Sequence, residues 1–385
     1  MTDKYDNKSI LVLGVHLKSE GYPNVLYRIA DIEKTFLRYE EINIPMWRER
    51  DIGTSDRYGF FKNAMQGLKA HGLTFSAYLT RKSVDVVYIP YPAIFLGAML
   101  SFLPKKLRPK CLVIDAFISI YDTVVVDRAL LSPEHFMART LKKIEKRAFE
   151  TADVVITDTA LNSNYYAEMF GLPKNKFTAI PLSSNELDFK PEPYSYDKGA
   201  ICNVLFVGTF IPLHGISTIV EAIYLLKDNA RIFFTLIGNG QESTKLKKLY
   251  DENLKNFRWI SDWRAANEIA EFIEQSDICL GIFGGTEKAA RVCPYKIYAY
   301  AACGRPIITS VSKLLTDPAG VIDGETFVFV EPANPVALAE AIATLAKNTE
   351  KRQMLSLNSM RYYEKYLSNS VAAFLFEKCI NSIQK

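Results

Sequence analysis

The sequence lacks the features of membrane-spanning, disulfide-stabilised and nucleic-acid-binding chains. Its longest apolar run, residues 92–103, is too short to cross a bilayer, and its first residues contain no signal-peptide core. The six cysteines are scattered and form no CxxC pair, as expected for reduced thiols in a cytosolic chain. A net charge of +4 is too small to indicate nucleic acid. We therefore expect a cytoplasmic protein without a nucleic-acid partner.

What the sequence does have is length and a regular alternation of patterns. With 385 residues, it is too long for one ordinary core. Buried-strand patterns alternate with helical patterns, which predicts α/β domains built on parallel sheets. The polar segment 182–200 has no periodicity and is the best candidate for a linker. We predict a first domain over residues 1–190, a second over 191–368, and a last helix within 369–385 that crosses back to the first.

The stretch 283–304 carries the strongest local signal. An apolar strand leads into Gly284 and Gly285, and Pro294 then opens a helix that Gly304 should close in the left-handed conformation. Free N–H groups at the start of such a helix favour an anion. Three cations stand in or beside the loop, namely Lys288, Arg291 and Lys296. We interpret the stretch as a cradle for a nucleotide diphosphate.

A polar cluster follows one strand of the first half. The apolar strand 111–114 leads directly to Asp115. Four further polar residues follow in the next loop: Ser119, Asp122, Asp127 and Arg128. A carboxylate at a strand end could orient an acceptor hydroxyl or take its proton. A helix cap for Asp115 and ion-paired surface positions for the others explain the same residues.

The first half also combines an apolar run with basic residues. Segment 92–110 ends in the sequence Pro-Lys-Lys-Leu-Arg-Pro-Lys, and segment 139–147 is a basic helix. Together they could lie on an anionic membrane surface. The alternative is a helix that covers the sheet and a solvated loop after it, because every doubly wound domain needs such helices.

An ordered set of motifs covers most of the chain. The segments are VGTFIPLHGISTIVEAIYLL, FTLIGNGQE, SDICLGIFGGTEKAARV and PYKIYAYAACGRPIIT, with EKRAFETADVVI in the first half. This order resembles the retaining family-4 glycosyltransferases of the GT-B fold (glycosyl transferases group 1). The resemblance implies two Rossmann-like, doubly wound domains that face each other across a cleft. The second would bind a nucleotide-diphosphate sugar, and the first would bind a glycan or lipid-linked acceptor.

The resemblance also implies a reaction and a setting. The enzyme would be a hexosyltransferase-type transferase that retains the anomeric configuration. It would use the nucleotide-diphosphate sugar as a co-substrate and would need no cofactor and no bound metal. The natural context would be cell-surface polysaccharide biosynthesis at the inner face of the membrane, with peripheral membrane contact.

The resemblance assigns site residues to four roles. The transferred sugar would lie beside Asp115 and Glu287 as catalytic residues. The donor diphosphate would lie against Gly14, Gly21, Thr209, His214, Lys288, Arg291 and Lys296. The pocket for the nucleotide and the sugar would be formed by Gly208, Gly238, Gly240, Trp263, Gly285, Pro294 and Ala299. The acceptor would contact Ser119, Asp122 and Arg128. No metal ligand is expected.

The sequence departs from the family pattern at its charged positions. Arg291 and Ala299 stand where the family commonly has two glutamates. Thr209 and His214 stand near the places of an arginine and a lysine, and Asp115 stands where many relatives carry a histidine. A lost charge-assisted hydrogen bond of roughly 1.5–3 kcal/mol would weaken donor binding about 10- to 150-fold if nothing replaced it. His214 could donate to a phosphate oxygen in its neutral form.

Two other functions fit parts of the sequence. The missing acidic positions also fit a catalytically silent glycosyltransferase-like subunit that supports a partner. Gly238 and Gly240, with Asp262 further on, suggest an NAD-type oxidoreductase, but the third glycine of that fingerprint is missing. A sugar transferase accounts for most of the motifs and is the leading interpretation.

Overall fold

The protein consists of two compact α/β units. The computed structural model describes residues 5–16, 18, 22–46, 57–81, 83–191, 201–251, 254–262, 264–312 and 321–383. The first unit comprises Met1–Ser183 and Ala372–Lys385, and the second comprises Ser184–Val371. Each unit contains one parallel six-stranded sheet, which confirms the predicted fold class.

The first unit is built on strands in the order β2-β1-β3-β4-β5-β6. The strands are β1 Tyr5–Gly14, β2 Phe36–Asn43, β3 Val86–Ile89, β4 Cys111–Asp115, β5 Val154–Thr157 and β6 Phe177–Ala179. The helices are α1 Pro23–Thr35, α2 Arg57–Leu79, α3 Phe95–Leu100, α4 Phe136–Thr151 and α5 Ala160–Phe170. A π-helical turn covers Asp122–Asp127. The strand order reverses between β1 and β3, and ligands of such sheets bind at the carboxyl ends of the strands at this point.

The second unit has the order β12-β11-β10-β7-β8-β9. Its strands are β7 Cys202–Val207, β8 Ile232–Ile237, β9 Phe257–Ile260, β10 Ile278–Leu280, β11 Ile307–Ser310 and β12 Val328–Val330. Its helices are α6 Ile216–Leu225, α7 Thr244–Asp251, α8 Ala266–Glu274, α9 Tyr295–Ala302, α10 Pro335–Lys347 and α11 Thr349–Tyr362, and α12 covers Asn369–Ile383. This is the dinucleotide-binding strand order, with the reversal between β7 and β10.

Both faces of the first sheet are buried at the central strands β3, β4 and β5, which explains why these strands are continuously apolar. In β4, Leu112 and Ile114 belong to one core cluster, while Cys111 and Val113 belong to another on the opposite face. The second cluster includes Phe376 from the last helix. The end of α12 therefore completes the core of the first unit.

Several element boundaries differ from the sequence predictions. The predicted helix 93–103 is only Phe95–Leu100, and β10 ends at Leu280 rather than at residue 283. Helix α9 has the predicted extent, and Gly304 after it has φ +63° as expected for a left-handed cap. In the described part of the chain, no helix combines the length and apolarity needed to cross a membrane.

Candidate functional site

Two loops meet where the strand order of the second unit reverses. The loop after β7 and the loop after β10 pack backbone against backbone. The N–H of Phe283 donates to the carbonyl of His214 (3.2 Å), and the N–H of Gly284 donates to that of Leu213 (3.2 Å). Gly215 has φ +68°, and a Cβ on it would lie 2.5 Å from the carbonyl carbon of Phe283. Only glycine allows these loops to approach so closely.

A third loop joins this arrangement from the end of β8. A Cβ on Gly238 would lie 2.0 Å from the carbonyl oxygen of Gly208, and one on Gly240 would lie 2.6 Å from that of Phe210. The indole N–H of Trp259 donates to the Gly238 carbonyl (2.8 Å). The predicted glycines therefore bring three strand ends together with little side-chain bulk between them.

Lys296 reaches this glycine-lined position from the first turn of α9. Its Nζ lies 3.8 Å from the ring centroid of Phe206, and a Cβ on Gly208 would lie 2.8 Å from it. Lys296 is only 8% exposed, and its Nζ has no hydrogen-bond partner in the described part of the chain. Burial lowers its pKa well below the usual value. A buried, unpartnered amine at a helix N-terminus is chemically suited to an anionic ligand.

His214 faces the same position from the loop after β7. A Cβ on Gly208 would lie 3.4 Å from its Cε1, and its Nδ1 hydrogen-bonds the carbonyl of Thr209. Burial, together with the neighbouring Lys296, lowers the pKa of His214 well below its usual value. Because a carbonyl only accepts, the proton of the neutral ring is on Nδ1 and already engaged. His214 can donate to a phosphate from Nε2 only after a second proton is bound.

The turn before α9 holds the other predicted cations. Glu287 is exposed, Lys288 is partly exposed, and Arg291 is buried. The turn is closed by the Arg291 N–H, which donates to the Lys288 carbonyl (3.1 Å). Lys288 and Arg291 each already interact with other groups of the chain. Lys296 is therefore the cation of the predicted trio that the structure brings to Gly208.

The remaining predicted pocket residues of the second unit lie around α9. Pro294 immediately precedes the helix, with φ −69°, and Ala299 is buried in its second turn. Gly285 is exposed, and a Cβ on it would meet nothing closer than Ala333 Cβ at 3.7 Å. Two predicted residues, Gly21 in the first unit and Trp263 in the second, lie outside the described residues.

The first unit has its own polar group where its strand order reverses. A Cβ on Gly14 would lie 2.1 Å from Nδ1 of His16, so the strand ends on glycine because the histidine folds over it. His16 is 1% exposed, and its Nε2 lies 3.3 Å from Oε1 of Glu41. Lys18 (2.5 Å) and the Tyr39 hydroxyl (2.6 Å) contact the other oxygen of Glu41. Sequence reasoning missed this group, although the position of His16 just after a strand-ending glycine was a signal for it.

The neighbours of Glu41 determine its protonation state. Burial alone would raise the pKa of Glu41. Hydrogen bonds from His16, Lys18 and Tyr39 outweigh burial and lower the pKa to about 2. Glu41 is thus a stable anion at the carboxyl edge of the first sheet.

Asp115 lies at the end of β4, as predicted, but inside the first unit. The Tyr88 hydroxyl donates to its Oδ2 (2.6 Å), and the Phe117 N–H donates to its Oδ1 (3.2 Å). Burial raises the pKa of Asp115, against the opposing effects of Arg28 and these two donors. Both carboxylate oxygens therefore already accept hydrogen bonds within the unit.

The predicted acceptor residues separate into two kinds. Ser119 and Asp122 are fully buried, whereas Arg128 is exposed at the end of the π-helical turn. The Ser119 hydroxyl donates to Glu145 of α4 (3.0 Å), and the N–H groups of Ile120 and Tyr121 donate to the same carboxyl group (2.9 Å each). Ser119 and Asp122 therefore shape the loop after β4, and Arg128 is the member open to solvent.

Across the described ranges, no three His, Cys, Asp or Glu side chains lie close enough to hold a metal ion.

Residues 202–348 match the family described as Glycosyl transferases group 1. Two uncharacterized glycosyltransferases of Methanocaldococcus jannaschii are similar to this chain. One is 27% identical over 190 residues, which is 49% of each chain, and the other is 24% identical over 253 residues, which is 62% of each. The chain thus spans about half the length of the first relative it matches.

Solved structures resemble nearly the whole chain. The Anabaena protein HepE in complex with UDP-glucose has a TM-score of 0.70 at 17% identity, over 98% of this chain and 100% of that one. Sucrose-phosphate synthase from Thermosynechococcus elongatus has a TM-score of 0.72 at 17% identity, over 98% and 99%. The fold class is therefore GT-B. These neighbours show the fold, and the group 1 match lies within the second unit.

Proposed function

We propose that this protein is a glycosyltransferase that takes a sugar from a nucleotide-diphosphate sugar. The donor would bind to the second unit, at the carboxyl ends of β7, β8 and β10. The group 1 match lies in this unit, and the structural neighbour HepE was solved with UDP-glucose. The acceptor would bind to the first unit, as the resemblance to family-4 enzymes implies.

The position of Lys296 is the observation that carries this proposal. Its buried Nζ lies against Gly208, at the first turn of α9, without a hydrogen-bond partner among the described residues. A diphosphate supplies the missing anion, and the free N–H groups of the helix start add to its binding. The family's arginine and lysine after β7 are replaced by Thr209 and His214, and Lys296 provides a cation from another element.

The Lys296 amine at the start of α9 also fits the chemistry of sugar transfer. Cleavage of the bond between sugar and phosphate leaves negative charge on the diphosphate. A preorganised donor at such a charge is worth roughly 2.7–4 kcal/mol of transition-state stabilisation. We propose that Lys296 and the start of α9 supply this stabilisation without a bound metal or cofactor. Retention of configuration and a sugar-facing role for the exposed Glu287 are part of the same proposal.

Calorimetric titration with UDP and UDP-glucose tests the donor site. Lys296→Ala should weaken UDP binding at least tenfold, because it removes a charge-assisted contact of about 1.5–3 kcal/mol. Lys347→Ala is the matched control, since it removes an exposed lysine of the same unit. Equal affinity of both variants and the unaltered protein would contradict the proposed site.

We further propose a lipid-linked acceptor and peripheral membrane contact, which fit cell-surface polysaccharide biosynthesis. Most of the apolar run 92–103 is buried, with Gly97 packed against Ile114 and Ala148. What remains exposed is a basic-aromatic patch on α4 and on the segment between α3 and β4. Its members are Phe102, Lys105, Lys106, Leu107, Phe136, Arg139, Lys143, Ile144 and Arg147. Phe102 and Phe136 are 82% and 72% exposed.

Such a patch matches an anionic bilayer. Basic side chains near an anionic surface contribute about 1 kcal/mol each, and exposed aromatic rings partition into the interface. Vesicle sedimentation would test it. Phe102→Ser with Phe136→Ser should reduce binding to phosphatidylglycerol vesicles, whereas Leu225→Ser, an exposed apolar residue of the second unit, should not. Equal binding to neutral phosphatidylcholine vesicles would argue against the patch.

A catalytically silent partner subunit is the second candidate. Its support is the buried Ala299 and the buried Arg291, which stand where the family commonly has glutamates. Hydrolysis or transfer of sugar from UDP-glucose by the purified protein would exclude this candidate. Tight UDP-glucose binding without turnover would favour it.

A further inference from the structure

Lys296 and His214 form a pair of bases without a neighbouring acid. Strand β7 presents the Phe206 ring and Gly208 to Lys296, and the loop after β7 presents His214. From its own helix, the Tyr300 hydroxyl accepts the N–H of Val207 (2.9 Å), and burial keeps that phenol neutral by raising its pKa. The groups that the described part of the chain places against Nζ are the Phe206 ring, Gly208 and His214, and none of these is a carboxylate.

The lack of a neighbouring carboxylate disfavours the protonated forms of Lys296 and His214 when no ligand is bound. An ammonium group that is buried without an anion loses its hydration and gains no compensating ion pair. A second cation on the histidine ring would add repulsion. The Nδ1–H of His214 donates to the carbonyl of Thr209, so the neutral ring offers a ligand only the lone pair on Nε2. Without a bound anion, the site is therefore polar but carries little positive charge.

A diphosphate reverses this balance. It brings negative charge to a site that contains two protonatable nitrogens and no acid. We propose that binding of a nucleotide diphosphate here is coupled to uptake of a proton by Lys296. The lone pair of Nζ takes a proton from solvent, the resulting ammonium pairs with the diphosphate, and no bond of the ligand changes. This inference rests on the proposed donor site and goes beyond it by assigning the charge state of the site.

The coupling gives donor binding a characteristic pH dependence. Between the pKa of Lys296 in the empty site and its pKa in the complex, affinity should fall up to tenfold for each unit of rising pH. Substituting arginine removes this dependence, because a guanidinium stays protonated at any working pH.

The test is calorimetric titration with UDP-glucose in two buffers that differ in ionisation enthalpy. The esterified diphosphate of UDP-glucose does not titrate near neutrality, so the difference in measured heat reports protons bound by the protein. The unaltered protein should take up protons on binding, to a limit of one proton per site. Lys296→Arg should bind UDP-glucose with no uptake. His214→Gln should bind it with uptake retained.

Each other outcome has a defined meaning. Tight binding by the unaltered protein with no uptake would overturn the coupling and leave the donor site intact. Uptake that persists in Lys296→Arg and disappears in His214→Gln would assign the proton to His214 and overturn the inference. If thermal denaturation shows that Lys296→Arg is misfolded, Lys296→Met replaces it. This variant should bind UDP-glucose weakly and without proton uptake. If the protein bound none of the uridine, guanosine and adenosine diphosphates and none of their glucose esters, the donor site itself would be refuted.

Discussion

Individual residues decide what kind of ligand the second unit can hold. Sequence reasoning predicted Lys296 as a diphosphate cation from its place in a helix start. It could not predict that Nζ would lie on the Phe206 ring and against Gly208, because that contact joins the end of β7 to the first turn of α9, which is far away in the sequence. For the same reason, His16 was missed. Its significance depends on Glu41, which belongs to the neighbouring strand.

The space beside Gly208 gives a test at the scale of one methyl group. Gly208→Ala would place a Cβ 2.8 Å from Nζ of Lys296, at a backbone φ of +149° that disfavours side chains. We expect at least a tenfold loss of UDP affinity and a destabilisation of about 1–3 kcal/mol. The measurements are calorimetric titration and urea unfolding.

The control for this change is Gly72, an exposed glycine of α2 in the first unit. Gly72→Ala places its Cβ in open space, with no atom within 4 Å. It should leave UDP affinity unchanged and should not lower stability. A normal affinity in Gly208→Ala would show that Lys296 does not need this position.

At the scale of elements, the alternation of strands and helices was predictable because both faces of each sheet are covered. Boundaries were less predictable. Helix α3 is shorter than its apolar run because the run also forms a buried turn before the helix and a turn after it, in which Phe102 is exposed. The role of α4 could not be predicted for another reason. In the sequence, Glu145 is only the first residue of the motif EKRAFETADVVI, whereas in the structure it accepts three hydrogen bonds from the loop after β4.

Glu145 should make stability depend on pH. Burial, and to a smaller extent Asp122, raises its pKa to about 7, despite the opposing hydrogen bonds of Ser119, Ile120 and Tyr121. Because the folded protein binds this proton more tightly than the unfolded chain does, stability should fall as pH rises from about 4.5 to about 7. The contribution is at most about 3 kcal/mol.

The glutamine variant isolates this effect. Glu145→Gln cannot ionise, so the difference in Tm between the variant and the unaltered protein should shift in favour of the variant between pH 5 and pH 8. Glu150→Gln, an exposed glutamate of the same helix, serves as the control and should show no such shift. A constant Tm difference across this range would mean that Glu145 has an ordinary pKa.

The last helix offers a second test at this scale. Phe376 is 3% exposed, and its ring packs edge-on against those of Tyr88 (5.7 Å) and Phe36 (6.5 Å). Phe376→Ala should destabilise the first unit by about 3–5 kcal/mol. Phe374→Ala, at a residue that is 62% exposed in the same helix, should change stability by less than about 0.5 kcal/mol. Equal effects would mean that α12 does not complete this core.

At the scale of the whole molecule, the two units differ in how the chain builds them. The second unit is one continuous segment, Ser184–Val371, whereas the first needs Ala372–Lys385 in addition to Met1–Ser183. The sequence indicated two α/β halves because the strand pattern begins again after a polar segment. Which unit the end of the chain packs against depends on side chains such as Phe376, whose partners are far away in the sequence.

This difference predicts how the parts behave alone. The segment 184–371 contains the group 1 match, its own core and the loops after β7, β8 and β10 at which we propose that the donor binds. Expressed alone, it should fold and bind UDP with an affinity within about threefold of the full chain, if the second unit supplies the diphosphate contacts. Segment 1–183 alone lacks the α12 side chains of its core and should unfold at a lower temperature than a version joined to residues 372–385 by a short flexible linker. Calorimetric titration measures the first outcome and thermal denaturation the second. A folded segment 184–371 that no longer binds UDP would mean that the first unit contributes essential diphosphate contacts, among which Gly14 would be the first to test.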